Sequence, residues 1–118
     1  DRKPLLNALS IKLERSGFEV DTAEDGESGL KKLESDKFNL VLLDLVMPKI
    51  DGFAVLANMQ ARNIKTPVIV LSNLSQDEDE RRARELGAVD YFIKSDISIN
   101  EVVKRVSNVL ESAEKRIL

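Results

Sequence analysis

The chain has 118 residues and a formal net charge of −3, with 42% hydrophobic and 33% charged residues. A chain of this length forms one domain around one core, and its interspersed charges argue against a nucleic-acid or anionic-membrane surface. It contains no cysteine and no histidine, which excludes disulfides, thiolate or imidazole metal sites, and Ser-His or Cys-His nucleophile pairs. No apolar run reaches membrane-spanning length and no secretory signal is visible, so we expect a cytoplasmic protein.

Helix and strand patterns alternate through the first part of the chain. Leucines at helical spacing predict a helix over residues 5–16, and the glycine that follows is a natural stop. Residues 18–23 are predicted to form a short strand, followed by an Asp-Gly turn and an amphipathic helix. Residues 38–44 form a nearly unbroken apolar run that ends in Asp44. Such a run predicts a strand covered on both faces, which is typical of a parallel sheet.

The middle of the chain repeats this pattern. A helix is predicted near residues 53–62, and Asp51 is interpreted as its N-terminal cap rather than as a catalytic residue. Pro67 opens a second buried strand, which ends in Ser72. The segment 76–86 is predicted to be a helix, with acids in its first turns and arginines later, as the helix dipole favours. We interpret this charge run as a solvated helix face.

The last predicted elements are a strand over residues 89–93, closed by Lys94, and a helix over residues 99–113. Alternating strands and helices predict a doubly wound α/β domain with parallel strands. Because no linker or internal repeat is visible, residues 1–118 are treated as one domain.

Three of the buried strands end in polar side chains of complementary type. Asp44 and Ser72 are 28 residues apart, and Ser72 and Lys94 are 22 apart, each about one βα unit. In a parallel sheet these three ends emerge at the same edge, where open α/β sheets place their ligands. The carboxylate can attack phosphorus, while the ammonium and the hydroxyl can stabilise phosphoryl oxygens. One polar residue at a strand end is ordinary, so spacing alone leaves a structural explanation open.

The runs LVLLDLVMPKIDG, PVIVLS and LGAVDYFIK resemble the receiver domain of bacterial two-component response regulators, in the same order and spacing. The resemblance covers almost the whole chain. It implies a flavodoxin-like sheet of strand order 2-1-3-4-5. It also implies that Asp44 is the phospho-acceptor, that Ser72 is the switch hydroxyl and that Lys94 pairs with phosphoryl charge. Tyr91 falls at the family's aromatic switch position.

The same resemblance implies a cofactor and partners. Mg²⁺ would be held by Asp1, Asp44 and the backbone carbonyl of Val46. A histidine kinase or phosphotransfer protein would donate the phosphoryl group, and a downstream effector protein or domain would respond. The chain would then be a self-phosphorylating and self-dephosphorylating switch rather than a turnover enzyme. No direct contact with nucleic acid or membrane is expected, and a homodimer stays open.

Three rival functions remain at this point. The first is a pseudo-receiver that binds proteins without being phosphorylated. The second is an aspartyl-nucleophile phosphatase, which normally places a second acid where this chain has Val46. The third is a flavin binder of flavodoxin type, which the absence of a phosphate-cradling loop argues against.

The sequence departs from the family pattern at its beginning. Family members start with a hydrophobic strand that ends in two acids, whereas this chain starts at Asp1, which matches the second acid. The first strand is therefore absent from the N-terminus, because it is truncated, permuted to the C-terminus or supplied by a partner. Residues 115–118 (KRIL) resemble the start of such a strand. However, Ile117 continues the helical register of the last helix, which favours a longer helix.

A second departure follows Lys94, where Ser95 replaces the usual proline. Because a non-proline cis bond costs about 3 kcal/mol, we expect a trans bond and a locally different loop there.

Overall fold

The architecture is taken from a computed structural model, which describes residues 2–23, 25–35, 37–45, 51–72, 77–94, 98–109 and 116–117. Helices and strands alternate through these ranges. In chain order they are α1 (Arg2–Arg15), β1 (Glu19–Val20), α2 (Gly26–Ser35), β2 (Val41–Leu43), α3 (Gly52–Ala61), β3 (Val68–Ser72), α4 (Asp77–Glu85), β4 (Asp90–Ile93), α5 (Ile99–Val109) and β5 (Arg116–Ile117).

The strands pair in parallel, as the alternating pattern predicted. β2, β3 and β4 pair side by side in that order, and β1 pairs with β5. A parallel bridge between Leu40 and Ile117 joins the two groups, so the spatial order is β1-β5-β2-β3-β4. When β5 is counted as the family's first strand, β1 becomes the second strand and β2, β3 and β4 become the third, fourth and fifth. The spatial order is then the predicted 2-1-3-4-5.

Helices cover both faces of the sheet, and β3 lies between β2 and β4 with every residue buried. Val68 and Val70 pack into a core with residues of α2, α3 and α4. Ile69 and Leu71 face the opposite way and pack with residues of α1 and α5. Successive side chains of a strand point to opposite faces, and both faces of β3 are apolar. The unbroken apolar run is therefore explained by burial on two sides.

Glycines end two of the helices. Gly17 and Gly87 follow α1 and α4 with φ angles of +97° and +108°, a region that L side chains rarely adopt. After α1, the Phe18 N–H donates to the Leu13 carbonyl oxygen with an N–O distance of 3.1 Å, which satisfies a carbonyl at the helix end. The predicted stops are thus confirmed. Within the described ranges, no helix is both long enough and apolar enough to cross a membrane.

The expectation of a longer last helix is wrong at residues 116–117. Arg116 pairs with Glu19 and Ile117 with Val20, and the Asp21 N–H donates to the Ile117 carbonyl oxygen over 3.0 Å. Residues 110–115 and 118 lie outside the described part of the chain. The structure therefore places residues 116–117 in the sheet position that the resemblance gave to the family's first strand.

Burial explains why a strand forms where the helical register favoured a helix. Ile117 is only 1% exposed, in the core cluster between the sheet and the helices α1 and α5. Burying an isoleucine contributes about 1.5–3 kcal/mol. The same segment also gives hydrogen-bond partners to backbone groups of β1 that would otherwise be unpaired. An additional helical turn at the end of α5 would provide neither contribution.

Candidate functional site

Two of the predicted strand-end groups form an ion pair at the carboxyl edge of the sheet. Asp44 directly follows β2, and Lys94 directly follows β4. The Lys94 Nζ lies 2.6 Å from Asp44 Oδ2, although 50 residues separate the two in sequence. Their side chains are 14% and 16% exposed for lysine and aspartate, so the pair is largely withdrawn from water yet still reachable from the surface. The predicted convergence of these two groups is confirmed.

The register of the sheet positions Lys94. Ser72 pairs with Ile93 in the β3–β4 ladder, and the Lys94 N–H then donates to the Ser72 carbonyl oxygen over 2.9 Å. This bond continues the ladder one residue beyond β4 and orients the lysine across the end of β3 towards β2. The expected trans bond and altered loop at Ser95 fall on residues 95–97, which lie outside the described part of the chain.

Ser72, the third strand-end group, is buried at the last position of β3 and is 0% exposed. Its side chain is hydrogen-bonded to that of Tyr91 on β4, which is itself 7% exposed. The hydroxyl of Ser72 is therefore held among the strand ends, in contact with the predicted aromatic switch residue.

The environment of Tyr91 keeps its phenol neutral. Burial raises the pKa of the Tyr91 hydroxyl above its ordinary value of 10.0, while the hydrogen bond with Ser72 lowers it in part. The carboxylates of Asp79 and Glu80, in the first turn of α4, raise this pKa further. Their effect was not foreseen, because the acids of α4 were interpreted only as a solvated face. The pKa of Tyr91 therefore depends on charges of α4 as well as on its neighbours in the sheet.

The chain after Asp44 is held close to the start of α3. The Gly52 N–H donates to the Leu45 carbonyl oxygen over 2.9 Å. Asp51 caps α3 by accepting from the Ala54 N–H at 2.9 Å, which confirms the predicted capping role. A Cβ on Gly52 would lie 2.6 Å from the Asp44 carbonyl oxygen. Gly52 therefore lies directly against the backbone of Asp44 and Leu45.

A charged network lies at the start of β4, where α4, β4 and α5 meet. Asp90 on β4 accepts from Arg105 of α5 at 2.7 Å and from Arg84 of α4 at 3.4 Å, and Arg84 also pairs with Glu80 at 2.9 Å. Asp90 is mostly buried, whereas both arginines are about half exposed. These contacts link Glu80, one of the acids that raise the pKa of Tyr91, to the last helix.

On the other side of α4, the Arg82 guanidinium lies 4.2 Å from the centre of the Phe53 ring. This contact borders a groove of about 370 Å³ between α3 and α4. The spacing of residues within each helix gave no signal for it, because the two partners belong to different elements.

The predicted metal ligands are described only in part. Asp44 provides a carboxylate at the sheet edge, and carboxylate oxygens are the ligands that Mg²⁺ prefers. Asp1 and Val46 lie outside the described residues. Among the described residues there is no cluster of three or more acidic metal-ligating side chains. The donor chemistry of Asp44 therefore fits the predicted cation.

Comparison with known proteins places this geometry in a family. The family model described as "Response regulator receiver domain" matches residues 1–107. The chain belongs to the response regulator receiver domain family. The strand-end aspartate and lysine described above therefore lie in a receiver domain of the kind found in two-component response regulators.

Curated relatives of this receiver domain are longer proteins. The alkaline phosphatase synthesis transcriptional regulatory protein PhoP of Bacillus subtilis is 38% identical over 114 residues, which is 97% of this chain and 47% of the relative. The probable transcriptional regulator ycf27 of Porphyridium aerugineum is 36% identical over 115 residues, covering 98% of this chain and 47% of the relative. The chain thus spans about half the length of these relatives.

Solved structures agree with the fold. The receiver domain of the Francisella response regulator 1452 has a TM-score of 0.88 at 31% identity, covering 94% of this chain and 91% of that chain. The response regulator TrrA of Thermotoga maritima, in complex with Mg²⁺-BeF, has a TM-score of 0.80 at 30% identity, with 93% of each chain covered.

Proposed function

We propose that this chain, as one receiver domain over residues 1–118, is a signalling switch that accepts a phosphoryl group on Asp44. The observation that carries the proposal is the ion pair of 2.6 Å between Asp44 and Lys94 at the edge of the sheet. A carboxylate that is partly exposed beside a fixed ammonium can act as a nucleophile towards phosphorus. The ammonium can then neutralise charge on the phosphoryl oxygens as the transfer proceeds.

The donor in this proposal is a phosphohistidine of a histidine kinase or phosphotransfer protein. A carboxylate oxygen of Asp44 forms the new P–O bond while the P–N bond of the donor breaks, and the imidazole leaves with the electron pair and takes up a proton. Lys94 remains beside the modified side chain and pairs with the phosphoryl group. A Mg²⁺ ion held by Asp44, with Asp1 and the carbonyl of Val46 as further expected ligands, would supply additional charge neutralisation when bound. Because the kinase uses ATP, the proposal places the reaction in the cytoplasm.

The switch consists of an exchange of hydrogen-bond partners at Ser72. Its hydroxyl bonds to Tyr91 in the structure, and in the phosphorylated form it would donate to a phosphoryl oxygen instead. The charges of Asp79 and Glu80 on α4 act on the Tyr91 hydroxyl, so a change at this hydroxyl would alter the position preferred by that helix. Phosphorylation need only favour one of two existing conformations, by as much as it binds one better than the other.

The output surface in this proposal is formed by α4, β4 and α5, which Asp90 and its two arginines hold together. A downstream effector protein or domain would bind there. Several curated relatives carry names of transcriptional regulators and are about twice as long as this chain. Any contact with DNA would accordingly belong to a region outside this domain.

A direct test measures phosphorylation of Asp44 by intact mass. The chain is incubated with Mg²⁺ and a small acyl-phosphate donor, and we expect the mass of one phosphoryl group to be added. Asp44→Asn should remove the addition, and so should a chelator of Mg²⁺. Asp51→Asn is the matched control, because it removes a carboxylate near the site while asparagine caps a helix as well as aspartate does. A folded wild-type chain that gains no phosphoryl group would contradict the proposal and favour the non-phosphorylated interaction module.

A further inference from the structure

The groove between α3 and α4 combines an aromatic ring with two carboxylates. Phe53 provides the ring, and Asp51 and Glu85 provide the carboxylates. Two alanines of α3 and Leu86, just after α4, complete its apolar wall. A space of about 370 Å³ lies at the lower end of the range of small-ligand sites, about 300–1,000 Å³. The groove therefore has the chemistry and the volume to hold one long cationic side chain.

Arg82 shows how a cation is held in this groove. Its guanidinium lies 4.2 Å from the centre of the Phe53 ring, a position in which the face of a ring attracts a cation. Arg82 and Glu85 are three positions apart on α4, a spacing at which opposite charges commonly pair. Within the described ranges, however, the ion pairs of α4 involve Arg84, whereas Arg82 lies over the ring. The ring face is therefore a position that binds a guanidinium, and Glu85 remains available to a second cation.

Both carboxylates of the groove can accept a bond from a further donor. Glu85 is exposed at the last residue of α4, where the helix dipole favours a cation rather than an acid. Asp51 accepts from the Ala54 N–H through Oδ1, and none of the described residues donates to its Oδ2. The groove thus carries two carboxylates against one guanidinium, and the guanidinium is engaged with the ring. A positively charged ligand would complement this excess of negative charge.

We propose that this groove binds an arginine side chain from an exposed segment of a partner protein. The guanidinium of the partner takes the place of Arg82 on the Phe53 ring and pairs with Glu85. An apolar residue next to that arginine packs against Leu86. Arginine fits these groups better than lysine, because its planar guanidinium stacks on aromatic faces and forms bidentate bonds with carboxylates. Arg82 covers the ring in the free protein and therefore competes with the partner. The proposal does not depend on phosphorylation of Asp44.

A titration with blocked tripeptides tests the proposal on the wild-type chain. The probe is acetyl-Leu-Arg-Leu-amide, and its two analogues carry lysine or citrulline in place of arginine. Citrulline keeps the shape of the arginine side chain but has no charge. Binding is followed by NMR, from the backbone amide signals of the isotope-labelled chain. We expect the arginine peptide to shift the signals of Ala54 and Ala57 to saturation and to bind several-fold more tightly than the lysine peptide. The citrulline peptide should give no saturable shift.

Three variants show whether the peptide occupies the proposed position. Arg82→Ala uncovers the ring and should bind the arginine peptide several-fold more tightly. Its matched control, Arg81→Ala, removes the same charge from a neighbouring exposed position of α4 outside the groove and should change the affinity less. Glu85→Gln, at an exposed position, should weaken binding several-fold while the chain stays folded. The proposal is overturned if no saturable shift appears, if the lysine or citrulline peptide binds as tightly as the arginine peptide, or if Arg82→Ala and Arg81→Ala have equal effects.

Discussion

Replacing Gly52 by alanine should displace the backbone that carries Asp44. A Cβ at this position would lie 2.6 Å from the Asp44 carbonyl oxygen, 2.6 Å from Leu45 Cα and 2.8 Å from Leu45 Cδ2. Two of these atoms belong to the backbone, which cannot move aside as the end of a flexible side chain can. Ordinary van der Waals contact begins near 3.4 Å, so Gly52 and the backbone of Asp44 and Leu45 would have to separate by about 0.8 Å.

The cost of this overlap exceeds the gain in helix propensity. Forcing an additional carbon into a close-packed position typically costs about 1–3 kcal/mol. The hydrogen bond from the Gly52 N–H to Leu45 would also weaken, and such a bond contributes about 0.5–1.5 kcal/mol. The higher helix propensity of alanine compared with glycine raises the free energy of unfolding by at most about 1 kcal/mol. We therefore expect a net destabilisation of about 1–3 kcal/mol, together with a shift of the Asp44 carboxylate relative to Lys94.

Urea unfolding of the wild type, Gly52→Ala and Gly29→Ala measures the effect. Gly29 is the matched control, because its Cβ would meet only Ala23 Cβ at 3.6 Å. Gly29→Ala should accordingly be neutral or stabilising, by up to about 1 kcal/mol. Phosphorylation by a small donor should slow in Gly52→Ala and be unchanged in Gly29→Ala. If Gly52→Ala unfolded at the same urea concentration as the wild type, the close approach of Gly52 to the backbone of Asp44 and Leu45 would be contradicted.

Three further perturbations test other contacts. Because the raised pKa of Tyr91 keeps the folded chain protonated while the unfolded chain ionises, stability should fall as pH rises above about 10; Tyr91→Phe should flatten this decline, and parallel unfolding curves for both proteins would refute it. Arg82→Met should lose the contact with Phe53 and about 0.5–1 kcal/mol in urea unfolding, whereas Arg81→Met, a matched exposed arginine of α4, should change stability by less; equal effects would contradict the contact. Ser98→Ala removes the hydroxyl that accepts a hydrogen bond from the Glu101 N–H in the first turn of α5, and the free energy of unfolding should fall by about 1 kcal/mol. An unchanged thermal unfolding curve would contradict this capping role.

Local chemistry was sufficient to predict much of the site. Asp44 and Lys94 could be brought together from sequence because apolar runs identify buried strands, and parallel strands bring their carboxyl ends to one edge. The cap at Asp51 was predictable for a similar reason, since it depends on residues within one turn. In both cases the deciding interaction is periodic or short-range, and can therefore be recognised in a single sequence.

The contacts that escaped prediction depend on the complete tertiary structure. The sequence around Ile117 fits a helical register as well as a strand, and only the position that Ile117 occupies between β1 and β2 makes a strand preferable there. The close approach of Gly52 to Asp44 depends on how α3 is placed against the end of β2. The influence of Asp79 on Tyr91 arises because α4 packs beside β4. None of these distances is encoded in the spacing of residues along one element.

The position of β5 has a consequence for biosynthesis. Glu19 and Arg116 are neighbours in the sheet but are 97 residues apart in the chain, so the ribosome releases β1 and β2 long before their shared neighbour. Until that neighbour emerges, β1 and β2 lack the partner that the structure gives them, and unpaired edges promote aggregation. Contacts of such long sequence separation also slow folding. The pairing of residues 116–117 with β1 should therefore be among the last steps in the folding of this domain.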